Sequence, residues 1–120
     1  RTGELWSYDI PRQSCATPAI LNGLVFVTDD AGCVHCVDAE TGEAYWVHKV
    51  GRSIWSSALG ADHCIYVGAR NGDFAILAAT KQKQVLFSTR FPDAIHGTPT
   101  AANGVLYVST LSRLYAIKTP

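Results

Sequence analysis

The sequence predicts an all-β chain of about three four-stranded antiparallel sheets, and three observations carry that prediction. First, residues 34–46 read as an apolar run (Val34-His35-Cys36-Val37), a polar turn (Asp38-Ala39-Glu40-Thr41-Gly42) and an aromatic return ending at Trp46. Such a segment forms a hairpin, because Gly42 tolerates the positive φ at which the chain reverses. Second, Thr2-Gly3-Glu4-Leu5-Trp6 repeats the turn and the indole, with Trp6 and Trp46 spaced by 40 residues. Third, residues 18–32 fall on residues 58–72 at the same spacing, so that Leu24, Val25, Phe26 and Val27 match Cys64, Ile65, Tyr66 and Val67. At a spacing of 81, residues 99–109 give another copy, with Asn103-Gly104 where the first has Asn22-Gly23. A self-similarity near 40 residues built only from strand-like runs is the signature of a propeller blade repeat.

Each element follows from that repeat. Residues 4–10 read as the last strand of a blade whose other strands lie upstream. Residues 11–13 link it to a blade over 14–50, opened by a short strand at 15–20 where small residues and Pro18 gather. Residues 23–28 are nearly all apolar, which suits a strand buried on both faces between stacked sheets. Asp29-Asp30-Ala31-Gly32 then turns the chain, as Ala69-Arg70-Asn71-Gly72 does one repeat later. Residues 33–39 return and 44–50 close the sheet. The next blade, 53–91, has strands at 54–59, 64–68, 73–79 and 85–91. Its last turn has decayed to Ala79-Thr80-Lys81-Gln82-Lys83-Gln84, and Leu86 or Phe87 takes the tryptophan position. A partial blade, 94–119, offers strands at 95–101, 105–110 and 113–118. Three blades cannot bend into a ring, so the expected parent is a propeller of six to eight blades, roughly 240 to 320 residues. The remaining blades are the first expected partners of this segment.

Composition excludes other classes. A content of 48% hydrophobic residues is ample for a core, and ten basic against ten acidic residues leave no net charge. Lys and Arg are scattered singly, so the strong field of a nucleic-acid or polyanion binder is missing. No apolar run approaches the roughly 18 residues of a membrane span, and no signal-peptide layout is present. The chain reads as an excerpt that begins inside a repeat.

Gly32-x-Val34-x-Cys36-x-Asp38-x-x-Thr41-Gly42-x-x-x-Trp46 resembles the tryptophan-docking repeat of the pyrroloquinoline-quinone (PQQ) family of propellers. Ala16-Thr17-Pro18-Ala19, Ser56-Ser57-Ala58 and Gly97-Thr98-Pro99-Thr100 resemble the Ser-Ser-Pro strand of that repeat, so the resemblance covers essentially the whole chain. It implies blade docking through Trp6 and Trp46, with Asp38, Thr41 and Gly42 shaping the turn. The residues explain the motif independently: an indole at a strand end fills the gap between sheets, and Asp38 and Thr41 hold a tight turn through backbone hydrogen bonds.

Activity is less legible than fold. The family includes quinone-dependent alcohol and sugar dehydrogenases, BamB-like assembly propellers and sensor domains, and function lives in sites rather than in the ring. In the dehydrogenases the resemblance implies PQQ between a Trp and a disulfide of adjacent cysteines, with calcium on carboxylate and amide ligands. No adjacent cysteine pair exists here, and no Glu, Asn and Asp set matches that site, so no catalytic, metal or cofactor residue is assigned.

Cys33-Val34-His35-Cys36 has the look of chemistry, but Val37 stands where haem attachment requires His. In a strand Cys33 and Cys36 point to opposite faces, which argues against zinc and against a disulfide between them. Cys36 falls on Ile76 and Ala116, and Cys64 on Leu24 and Val105, so both read as small core hydrophobes, with Cys33 more exposed. Cys15, Trp55 and His96 occupy equivalent places at the head of each blade's first strand, which lines a propeller's channel. Trp55 suits stacking on a flat ligand and His96 suits hydrogen bonding, although channel-mouth packing also accounts for both. His35, His48 and His63 read as ordinary strand or turn residues; Asp29 and Asp30 are of the type that contributes to a cation site, although two acids in a hairpin turn are usually just solvated.

The expectation is a non-catalytic binding or scaffold module that takes a protein partner or small ligand. The alternative is part of a PQQ- and calcium-dependent dehydrogenase whose active residues lie outside this segment. By resemblance the compartment is periplasmic or extracellular.

Overall fold

The computed structural model describes residues 3–14 and 16–118. Eleven strands form three antiparallel sheets, and among the described residues there is no helix. The first sheet contains β1 (Ala19–Leu21), β2 (Leu24–Thr28), β3 (Cys33–Asp38) and β4 (Ala44–Lys49), paired in that order. The second repeats it with β5 (Leu59–Ala61), β6 (Cys64–Gly68), β7 (Asp73–Ala78) and β8 (Val85–Arg90). The third holds β9 (Thr100–Ala102), β10 (Val105–Ser109) and β11 (Leu114–Lys118). The period extends to irregularities, since the register slips at Cys36/Val37 in one sheet and at Ile76/Leu77 in the next.

The turns explain why these runs become hairpins. Asn22-Gly23 and Asn103-Gly104 both take positive φ at their two positions, as a tight two-residue connection requires. Asp62-His63 does the same without glycine, at φ of 51° and 61°.

Strand alternation builds the core. Along β6, Ile65 and Val67 point to the first sheet while Tyr66 points to the third; along β7, Ala75 and Leu77 face one way and Phe74 and Ile76 the other. The second sheet is therefore apolar on both sides, as the unbroken hydrophobic runs demand. Burial of each large aliphatic or aromatic side chain stabilises this stack by about 1.5–3 kcal/mol.

Hydrogen bonds recur across the seams with the repeat. Trp6 Nε1–H donates to the Ala39 carbonyl at 3.0 Å, and Trp46 Nε1–H to the Thr80 carbonyl at 2.9 Å. At the inner strands the Thr17 N–H donates to Ser57 Oγ at 2.9 Å, and the Ser57 N–H to Thr98 Oγ1 at 3.0 Å. The Ser/Thr position of the repeat is thus a stitch between neighbouring sheets.

Those stitches correct two expected strands. Residues 15–20 and 54–59 were to open their sheets, but pairing begins only at Ala19 and Leu59. The preceding amides of Thr17 and Ser57 bond to the neighbouring sheet instead of to their own ladder. Likewise the third sheet's first strand starts at Thr100 rather than at residue 95, with Ile95 held by a single bridge to Thr110. Residues 4–10, expected as a strand, join no ladder among the described residues. They are held against the first sheet by side chains, through Trp6 and through Tyr8, whose hydroxyl lies 2.7 Å from His35 Nδ1.

In the second sheet Phe87, not Leu86, takes the tryptophan position: it faces Ile76 as Trp46 faces Cys36. Phe87 is nonetheless exposed, whereas Trp46 is buried.

Candidate functional site

The connector between β4 and β5 positions the side chain that dominates one end of the sheets. Its residues alternate, with Ile54 and Ser56 buried and Trp55 left outward and exposed. The backbone is held close to the next turn, because a Cβ on Gly51 would lie 2.5 Å from Asn71 Oδ1 and 2.6 Å from Ala69 Cβ. The Ile54 N–H donates to the Asp29 carbonyl at 3.3 Å, and one repeat later the Ile95 N–H donates to the Ala69 carbonyl at 3.3 Å. The second residue of each β-turn is tied in turn to its own sheet's connector: Asp30 N–H to Gln13 O, Arg70 N–H to Ser53 O and Leu111 N–H to Ala94 O, at 2.7, 2.7 and 3.0 Å. The frame around Trp55 is therefore rigid and periodic, while the side chains on it differ from sheet to sheet.

Those side chains converge. Trp55 Nε1–H donates to Asp30 Oδ1 at 3.0 Å, and Ser53 Oγ–H donates to the same oxygen at 2.9 Å. Arg12 stands 3.9 Å from Asp30 Oδ2. These two hydrogen bonds, Trp55's first, hold the Asp30 carboxyl below the usual carboxylate range, with Arg12 and Arg70 adding to the effect. On the other face of the cluster the Arg70 guanidinium carbon lies 3.8 Å from the Trp55 ring centroid, a cation–π contact. The His96 and Trp55 rings are 6.1 Å apart, tilted by 33°. Arg52, Ser53, Arg70, Asn71, Ala94, His96 and Leu111 line a shallow, solvent-open recess of about 460 Å³ between the second and third sheets. Trp55 and His96 are thus brought together at one site. Cys15, the third of the equivalent positions, lies outside the described residues.

Arg70 went unrecognised from sequence, as did the roles of Asp29 and Asp30. Rather than being solvated, Asp29 is 2% exposed, and its Oδ1 accepts from the Ala31 and Cys33 amides while its Oδ2 meets His35 Nε2 at 2.6 Å. A carboxylate only accepts, so His35 Nε2–H donates to Asp29, while its Nδ1 pairs with the Tyr8 hydroxyl on the other side of the ring. Burial, and then the Asp29 charge, raise the Tyr8 hydroxyl above its ordinary pKa. His35 is accordingly not an ordinary strand residue but the centre of a buried chain that fastens residues 4–10. The signal was available in the repeat, since Asp29 aligns with Ala69 and Thr110, which are also buried.

The docking turn is built locally. Asp38 Oδ1 accepts from the Glu40 and Thr41 amides at 2.8 and 3.0 Å, and Oδ2 from the Tyr45 hydroxyl at 2.8 Å. The Tyr45 bond, followed by those two amides, lowers the Asp38 carboxyl; the same bond pushes Tyr45 up to about 12. Gly42 has φ of 77° and lies directly against the Trp6 indole.

Cys33, Cys36 and Cys64 are free thiols. Cys36 is fully buried and raised by that burial to about 11, while Cys33 is only partly buried. No group of three or more His, Cys, Asp or Glu side chains that could hold a metal ion occurs among the described residues. Among the described residues no helix is long and apolar enough to cross a membrane.

The chain matches, over residues 1–80 and again over 30–118, the family model described as outer membrane protein assembly factor BamB. It is 27% identical over 120 residues to the tetrathionate hydrolase of Acidithiobacillus ferrooxidans, covering 95% of this chain and 24% of that protein. It is 24% identical over 140 residues to the quinohemoprotein alcohol dehydrogenase of Comamonas testosteroni, covering 97% of this chain and 19% of that protein. The chain therefore spans about a quarter or less of these relatives' length. BamB from Moraxella catarrhalis shares the fold at a TM-score of 0.83 and 22% identity, over 95% of this chain and 36% of that one. Quinohemoprotein alcohol dehydrogenase ADHIIG from Pseudomonas putida HK5 does so at 0.69 and 20%, over 93% and 20%. With the repeat matched from residue 1 to residue 118, the chain belongs to the BamB-like family of PQQ-type repeat propellers.

Proposed function

We propose that this segment serves as a non-catalytic binding or scaffold module within a larger propeller. The observation that carries the reading is the Asp30–Trp55–Arg70 cluster, an aromatic and charged surface held in place by hydrogen bonds and stacking and presented outward at one end of the sheets. A rigid frame carrying variable side chains is suited to docking a protein or small ligand. The buried Asp29–His35–Tyr8 chain is closed by a phenol rather than by an exposed nucleophile. The family's description as an assembly factor supports the same reading, and with it a periplasmic or extracellular compartment.

The alternative, part of a PQQ-dependent alcohol or sugar dehydrogenase, is favoured by the quinohemoprotein relatives. The residues here do not fit the quinone and calcium, for the sequence has no adjacent cysteines and no donor cluster is assembled among the described residues. Under that reading the active residues belong to other blades. Titration of the full-length protein with PQQ and calcium, followed by dye-linked alcohol and sugar oxidation, separates the two. Neither binding nor turnover is expected, and either one overturns the scaffold reading.

A further inference from the structure

The polar chain that fastens residues 4–10 to the first sheet is not repeated at the next seam. His48 on β4 falls on Tyr8 at the 40-residue spacing, while Ala75 and Ala69 fall on His35 and Asp29. Where Tyr8 meets His35 at 2.7 Å with Asp29 behind it, the second sheet offers two alanines of the apolar core. His48 lies on the same side of β4 as Trp46, the side that packs on the second sheet. Its Nδ1 is sealed from solvent and has no hydrogen-bond partner. Burial first, and then the charge of Lys83 in the turn before β8, depress the imidazole below its ordinary pKa of 6.5. No carboxylate offsets this. Asp73 and Arg90 share the Ala75 side of the second sheet but stand 3.8 Å from each other, and Lys81 lies over the Tyr45 ring at 5.4 Å. Cys36, on the facing side of β3, is a buried thiol that stays neutral.

We infer that His48 makes the seam between the first and second sheets acid-sensitive, because its protonation puts a second positive charge opposite Lys83 on a nitrogen that has neither water nor an acceptor. The contact between the sheets loosens there. Because the folded value lies below the ordinary one, the seam is complete above pH 6.5 and weakens as pH falls through the lowered value. The seam at Trp6 lacks this response, since Asp29 stands 2.6 Å from His35 as its counter-charge. The inference is independent of the scaffold reading, because it concerns the contact between sheets and involves no ligand.

The test follows hydrogen exchange of the indole N–H groups in the full-length protein by NMR, each expressed as protection relative to a free indole at the same pH. Protection at Trp46, which donates to Thr80 across this seam, is expected to fall between about pH 7.5 and about pH 5, while protection at Trp6 holds. His48→Gln, neutral throughout, is expected to keep Trp46 protected at the acid end. If that change disturbs packing, Lys83→Gln provides the second reading, since its side chain is exposed and its loss relieves the repulsion without touching the core. It is expected to lessen the fall. No fall at Trp46, an equal fall at Trp6, or the native fall in both variants overturns the proposal.

Discussion

The Trp46 indole donates its Nε1–H to the Thr80 carbonyl at 2.9 Å, so the seam between the first and second sheets joins a large apolar surface to a directional bond. The same bond one repeat earlier, from Trp6 to Ala39, shows that the repeat encodes a contact between blades. Trp46→Ala is expected to cost about 3–5 kcal/mol, from lost burial and from the cavity left behind. Trp46→Phe keeps most of the area and forfeits the hydrogen bond, about 0.5–1.5 kcal/mol plus the changed packing. Urea unfolding of the full-length protein measures both, and equal losses for the two would refute this division.

Gly42 and Gly104 separate conformational strain from steric exclusion. Both take positive φ, 77° and 76°, but a Cβ on Gly42 would lie 2.6 Å from the Trp6 ring, whereas one on Gly104 meets nothing within 4 Å. Gly104→Ala should therefore cost only the left-handed strain, about 1–2 kcal/mol. Gly42→Ala should cost more and shift Trp6 fluorescence as the indole is displaced. Equal destabilisation with an unshifted spectrum would show that Gly42 is needed for φ alone.

Asp29 supports three donors from a position that is 2% exposed. Asp29→Ala leaves two amides and His35 Nε2 unpaired and is expected to cost about 3 kcal/mol or more. Tyr8→Phe removes the hydroxyl that pairs with His35 Nδ1 at the far end of the chain, with an expected cost of about 1–2 kcal/mol and faster proteolysis within residues 4–10. Unchanged proteolysis would show that Tyr8 does not fasten that segment.

The stacking of sheets was legible because it is written in side chains that repeat: Trp6 with Trp46, Gly32 with Gly72, and the apolar runs at 24–27 and 64–67. The acceptors of the indoles were not, because Ala39 and Thr80 act through backbone carbonyls that any residue supplies. The late start of β1 and β5 was hidden for a similar reason, since the Thr17 and Ser57 amides choose between their own ladder and a neighbouring hydroxyl only once two sheets are packed. Trp55 and His96 could be grouped by repeat position, but Arg70 joins them from a different turn, and only the packing of connector on turn brings it there. Asp29 and Asp30 are neighbours in sequence with opposite fates, because the turn aims one into the sheet and the other at Trp55.

Cys36 is fully buried and raised to about 11, so at pH 8 well under 1% of it is thiolate. Native protein should leave Cys36 unreacted with a disulfide-exchange reagent at that pH, and unfolding should release it. Because the folded pKa is above the ordinary value of 9.0, its contribution to stability is complete below pH 9 and fades as pH rises through about 11. Cys36→Ser should flatten that alkaline decline, and an identical decline in the variant would assign it to other groups.

Asp30 offers an acid-side readout at the candidate site. Its carboxyl is held below 3.8, chiefly by the Trp55 hydrogen bond and then by that from Ser53. The sign is opposite to that of Cys36: the anchor is intact above pH 3.8 and is lost as pH falls through the lowered value. Trp55 emission, isolated as the difference between the native protein and Trp55→Phe, should hold steady through neutral and mildly acid pH and change only below 3.8. Asp30→Asn keeps an acceptor for the indole while removing the titration, so its emission should stay constant over the same range. Asp30→Ala should give at neutral pH the spectrum that the native protein reaches only in acid. A Trp55 signal that titrates in Asp30→Asn as it does in the native protein would detach the indole from this carboxylate.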